Sequence, residues 1–241
     1  MATAYSLHHR HISHNDRRAA RHLLALPAAL FAGVIVLAVC YIAYVLWPRW
    51  PSGPVALDAP SIPVTVANTT FNIPPAAIRQ SVQRKPGTQQ RVDIAYLWPS
   101  LTPPDPALRP TPVMSSNMVD RVFMTIAASD GALPPHERVK TIYPRYLDTR
   151  LSAMPAGLVS RPFRDGTPYQ GEELICDEGS AGFLVRCTRN GAGATLGMCL
   201  YDQRIGAADV TIRFPRDWLE DWQGVANKLD QLIKSLRVSG G

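Results

Sequence analysis

From Leu23 to Trp47 the chain runs through twenty-five residues without one charged side chain, and beyond that run its apolar positions come in short alternating sets. A helix over 23–47 would be about 37 Å long at about 1.5 Å per residue, enough to cross a hydrocarbon core near 30 Å with some tilt. The run is too long for a cleaved secretory leader and ends in Trp47-Pro48-Arg49-Trp50-Pro51 rather than in small residues, so it reads as a retained signal anchor. Pro27 falls near its first turn, and Tyr41, Tyr44, Trp47 and Trp50 gather at its far end, as aromatic side chains do at the headgroup level.

After a spacer at 48–61 that contains Pro48, Pro51, Pro54 and Pro60, the alternation changes to the period of strands. Residues 62–71 read as a strand broken at Pro63, with Asn72 placed to cap a short helix whose body is AAIRQSV. Residues 91–98 put Val92, Ile94, Tyr96 and Trp98 on one face, and 121–127 are apolar on much of both faces. One helical turn is expected after Pro135. A hairpin of 158–163 with 169–176 is expected around Asp165-Gly166, followed by strands at 183–188, 198–205 and 209–214. Strands at this spacing without helices between them imply antiparallel pairing.

The carboxyl end carries an amphipathic helix. Trp218, Trp222, Val225, Leu229, Leu232 and Leu236 step by threes and fours into one stripe, with Pro215 and Asp217 at its start and Lys234 and Arg237 near its end. The fold class expected is therefore α+β: a single amino-terminal transmembrane helix, then an antiparallel meander sheet with a carboxyl-terminal helix packed on it. Its parts are a basic arm at 1–22, the span at 23–47, the linker at 48–61, the folded domain at 62–238 and a tail at 239–241.

Charge orients the span. Arg10, Arg17, Arg18 and Arg21 precede it while Arg49 alone closely follows it, so the amino end is expected to stay cytosolic and those four arginines to meet anionic headgroups. In a bacterial cell this makes a single-pass inner-membrane protein with a periplasmic domain. The arm also holds histidines at 8, 9, 11, 14 and 22; with no Cys partner they read as pH-dependent positive charge rather than as a metal site.

Export makes the cysteines informative, because Cys176, Cys187 and Cys199 then lie in an oxidising compartment while Cys40 stays inside the span. A hairpin centred at Gly193 sets Cys187 opposite Cys199, and one centred between Ala181 and Gly182 sets Cys176 opposite Cys187. The turn signal Asn190-Gly191-Ala192-Gly193 favours the Cys187–Cys199 bond, with Cys176–Cys187 as the alternative.

No chemistry is spelled out. The chain lacks GxSxG, HExxH, GxxxxGK[ST] and GxGxxG patterns, and a Ser-His or Cys-His pair in the exported part would have to use His136. Glu172, Glu173, Asp177 and Glu178 read as solvated edges, and no cofactor or metal is expected. Arg138, Lys140, Arg145, Arg150, Arg161 and Arg164 could form a patch facing anionic headgroups or wall polymers. The exported part is otherwise close to neutral, which together with its compartment argues against nucleic acid.

The proline-dense loop at 99–117, with Pro99, Pro103, Pro104, Pro106, Pro110 and Pro112, is the candidate interaction loop, since extended prolines can dock on an aromatic groove. The reading is a non-catalytic interaction or assembly module of an envelope complex, partnered by the bilayer and by another envelope protein or a second copy. The alternatives are an envelope enzyme acting on wall or lipid, or a sensor of a small ligand or lipid.

Overall fold

The computed structural model describes residues 14–46, 55–105, 120–177, 182–192 and 197–238, and the chain divides into an amino-terminal unit and a second unit that begins at Pro51. The first is one helix, α1 (His14–Leu46), which starts inside the basic arm, includes Arg17, Arg18, Arg21 and Leu23, and carries Pro27 within it. Its stretch Ala29–Leu46 has a mean hydropathy of 2.6 and is long and apolar enough to cross a membrane. Arg10 and Trp47 lie outside the described residues.

The second unit is α+β, as the periodicities predict. Its strands are β1 (Ile62–Val66), β2 (Thr69–Ile73), β3 (Gly87–Thr88), β4 (Arg91–Leu97), β5 (Arg121–Ala128), β6 (Ser152–Ala153), β7 (Leu158–Pro162), β8 (Glu172–Asp177), β9 (Leu184–Thr188), β10 (Met198–Ile205) and β11 (Ala208–Pro215). Two helices accompany them, α2 (Pro135–Thr141) and α3 (Trp222–Leu236). The main sheet is antiparallel throughout, in the order β4-β5-β11-β10-β9-β8-β7-β6. It is a six-strand meander to which the β4–β5 hairpin adds itself along β11. Thus β5 and β11, far apart in sequence, lie side by side in the sheet.

A second, three-stranded sheet, β2-β1-β3, was not foreseen from the periodicity. What reads as one strand over 62–71 is a hairpin turning at Ala67 and Asn68, both at positive φ, with Val64 opposite Phe71. Asn72 is paired with Pro63 inside β2 and caps nothing; the expected helix is replaced by single 3₁₀ turns at Pro75–Ala77 and Ser81–Gln83. Between those turns Ile78 pairs with Ile94 on the edge of β4, a backbone bond that a continuous helix would forfeit. The small sheet abuts the β10–β11 turn at Gly206, whose φ of +59° suits glycine and where a Cβ would stand 2.5 Å from the Thr69 hydroxyl.

The expected carboxyl-terminal helix begins later than its charges suggest. Pro215 is still the last residue of β11, opposite Met198, and Arg216–Asp221 form 3₁₀ turns. Helix α3 then starts where the Asp221 side chain accepts from the Gly224 amide at 3.2 Å. Val225, Leu229, Leu232 and Leu236 are buried against the inner face of the sheet, with Ile212, Phe214, Met124 and Ile94 in the same core. At about 1.5–3 kcal/mol for each large side chain removed from water, this stripe is the main attachment of the helix. Tyr201 and Gln203 add a polar tie, the Tyr201 hydroxyl donating to Asp230 at 3.2 Å.

Within the meander Cys187 and Cys199 are direct cross-strand partners, fully buried and joined by a disulfide. The alternative pairing is excluded by register: β8 and β9 set Glu173 opposite Cys187 and Leu184 opposite Cys176. Gly193, the proposed centre of the turn, lies outside the described residues.

Candidate interaction surfaces

Two surfaces of the domain are candidates. The first is the base of the β4–β5 connection. Trp98 follows β4, joined to Pro99 by a cis peptide, and its indole stacks on that of Trp218 with ring centroids 4.5 Å apart. The Lys228 ammonium from α3 lies 5.4 Å from the Trp98 ring and donates to the Pro99 carbonyl at 2.9 Å. Backbone bonds Trp98 N–H to Asp120 O at 2.7 Å and Leu97 N–H to Thr102 O at 2.9 Å close the neck of the loop. The proline loop therefore springs from a fixed platform shared by sheet and helix. Pro99, Pro103 and Pro104 belong to this described base, while Pro106, Pro110 and Pro112 lie outside the described residues.

The second surface is the outer face of the main sheet, opposite α3. Alternation sends Asp93, Thr125, Thr211 and Asp202 to this face in one row across β4, β5, β11 and β10. Thr125 donates to Asp93 at 2.8 Å and Thr211 to Asp202 at 2.7 Å. Burial alone would raise the Asp93 pKa, but Arg91, Thr125 and Gln83 together outweigh it and hold the carboxyl below its ordinary value. The next row brings Arg204 onto Asp209 through two bonds, at 2.7 and 2.9 Å.

Both ends of this face are covered. Arg79 lies over Phe123 at 4.8 Å and Gln83 reaches Asp93 at one end. At the other, Tyr143, Leu147, Phe163 and Leu174 form a small second core packed with Tyr169. Between the covers, across β5, β11 and β10, lies an open cavity of about 350 Å³ lined by Arg138 from α2, Arg186, Leu200, Asp202, Thr211 and Arg213 among others. Arg138 pairs with Asp202 at 3.5 Å and Arg186 with Glu172 at 2.6 Å. The Nε–H groups of Arg138 and Arg186 are nonetheless buried without an acceptor among the described residues, an arrangement that costs about 1–3 kcal/mol for each group left unpaired.

The expected solvated acidic edge is corrected at Glu172 and Glu173, while Glu178 lies outside the described residues. Adjacent carboxylates do point to opposite faces, but each meets an arginine: Glu172 meets Arg186 on the outer face, and Glu173, 8% exposed, takes Arg216 at 2.6 Å and the Ser160 hydroxyl on the inner one. The expected basic patch is likewise dispersed. Arg138 turns to Asp202, Arg150 to Asp148 at 2.7 Å, Arg161 to the Asp148 carbonyl and Arg164 to the Arg145 carbonyl. His136 is exposed beside Glu137. Among the described residues no three His, Cys, Asp or Glu side chains converge as metal ligands would.

The architecture defines a class: an antiparallel meander covered on one face by a carboxyl-terminal helix. No protein-family model and no curated protein sequence matches the chain. Among solved structures it is similar to an immunity protein of the Stenotrophomonas maltophilia type IV secretion system, with a TM-score of 0.52 and 14% identity over 75% of this chain and 94% of that one. It also aligns with the iron-regulated outer membrane lipoprotein FrpD of Neisseria meningitidis, with a TM-score of 0.45 and 11% identity over 76% of this chain and 95% of that one. At such identity the first likeness establishes the fold and no activity.

Proposed function

We propose that the protein is a single-pass inner-membrane protein, amino end cytosolic, whose periplasmic domain is a non-catalytic interaction module of an envelope complex. In this reading residues 1–22 are the cytosolic arm, 23–47 the anchor, 48–61 a spacer, 62–238 the exported domain and 239–241 a tail. The arginines at 10, 17, 18 and 21 hold the arm at anionic headgroups. The observation that carries the interaction role is the pinned neck of the proline loop: Trp98 on Trp218, with Lys228 on the Pro99 carbonyl, fixes where the loop leaves the domain. A fold shared with an immunity protein of a secretion system is in keeping with a protein partner.

A photo-cross-linking side chain at Pro103, in intact cells, tests this. The expected result is one discrete protein adduct that disappears when Trp218→Ala unseats the platform. Adducts with lipid or glycan alone contradict the reading and favour the envelope-enzyme alternative. The outer-face cavity keeps a small-ligand sensor in view as a second reading, since its volume lies within the range of small-molecule sites.

A further inference from the structure

We propose that the outer-face cavity binds a carboxylate carried on a short apolar stem, held by Arg213 and Arg186 on either side of Leu200 with Arg138 above. The geometry begins with register. Arg213, Leu200 and Arg186 are successive cross-strand partners on β11, β10 and β9, so the two arginines stand on one row, two strand spacings or about 10 Å apart at their backbones. Side chains of arginine length can close that gap above Leu200. Arg138 reaches the same cavity from α2, held by Asp202, the next outward residue on β10.

Donors in this wall outnumber the acceptors available to them. Asp202 is taken by Thr211 and Arg138, Asp209 by Arg204, and Asp130 by the Ala132 amide at 2.9 Å. Arg213, exposed on the sheet, has no hydrogen bond or ion pair among the described residues, and Arg138 and Arg186 each retain an unpaired Nε–H. A planar two-oxygen acceptor matches a guanidinium edge better than any neutral group does. The aspartates that line the cavity repel a doubly charged phosphate more than a single carboxylate, and Ala127 and Leu200 supply contacts for a stem. The shared chemistry fits a free short-chain acid or a glutamate side chain of a peptide. It rests neither on the membrane orientation nor on the proline loop.

The test uses the full chain in nanodiscs with arginine labelled at Nε, titrated separately with butyrate and with the peptide acetyl-Ala-Glu-Ala-amide. Saturable shifts of arginine Nε–H signals with butyrate assign a free acid, and shifts with the peptide alone assign a side-chain carboxylate; either supports the site. Arg213→Gln, a change at an exposed position, is expected to weaken binding about tenfold or more, since a charge-assisted bond is lost. No saturable shift from either probe up to about 10 mM, equal binding of the glutamine-containing peptide, or unchanged affinity in Arg213→Gln overturns the proposal.

Discussion

The two faces of the main sheet are made by the same strands and do opposite things. On the inner face Val92, Ile94, Met124, Ile126, Val210, Ile212 and Cys199 are buried in the one core to which α3 and the β1–β2 hairpin also contribute, so that face is sealed. On the outer face the alternate residues of those strands, Asp93, Thr125, Thr211 and Asp202, form a hydrogen-bonded row beside an open cavity that Arg213 also lines. Strand alternation alone separates the two chemistries. Stability should therefore answer to the inner face, and recognition to the outer one and to the loop at the edge.

The sharpest way to break this division is Leu229→Ala on α3, at a fully buried site. It is expected to cost about 2–5 kcal/mol in denaturant unfolding, because lost transfer energy and an unfilled cavity add. Removing both cysteines, Cys187→Ala with Cys199→Ala, should cost about 2–3 kcal/mol, since the bond closes a short loop with a sequence separation of 12. The same loss should follow from a reductant. A third comparison uses pH. Burial, and next the Asp230 charge, push the Tyr201 hydroxyl up to about 12 from an ordinary value of 10.0. A phenol raised on folding contributes stability that is complete below pH 10.0 and is lost as pH climbs toward about 12, so the unfolding midpoint should drop across that window and Tyr201→Phe should flatten the drop. The smallest effect is expected outside: Arg213→Gln should change stability by no more than about 0.5 kcal/mol. A loss as large as that of Leu229→Ala would erase the distinction between the faces.

How far the sequence revealed this follows from which signals are local. The α3 stripe, the hairpin of β10 with β11 and the β4 alternation depend on neighbours within a few residues and are readable as periodicity. The Cys187–Cys199 register follows from a turn signal, whereas the alternative hairpin shifts the pairing and places Glu173 there instead. The union of β5 with β11 is not local, and no residue pattern announces it. The β1–β2 turn was hidden because Ala67 and Asn68 adopt positive φ without a glycine to mark it. The cavity was missed for a related reason. Arg138, Arg186 and Arg213 come from a helix and two strands remote in sequence, and only assembly of the sheet brings them to one wall. The basic segment 138–164 looked like a patch because sequence shows charge but not the carbonyls and carboxylates that absorb it.

The most direct test of the account is the compartment of the folded domain, because the interaction role and the oxidised cysteine pair both depend on it. Protease added to sealed spheroplasts that carry the full chain should digest the domain from Ile62 onward and leave a short membrane-protected amino-terminal fragment containing Leu23. A carboxyl-terminal domain that survives until the membrane is lysed would contradict it.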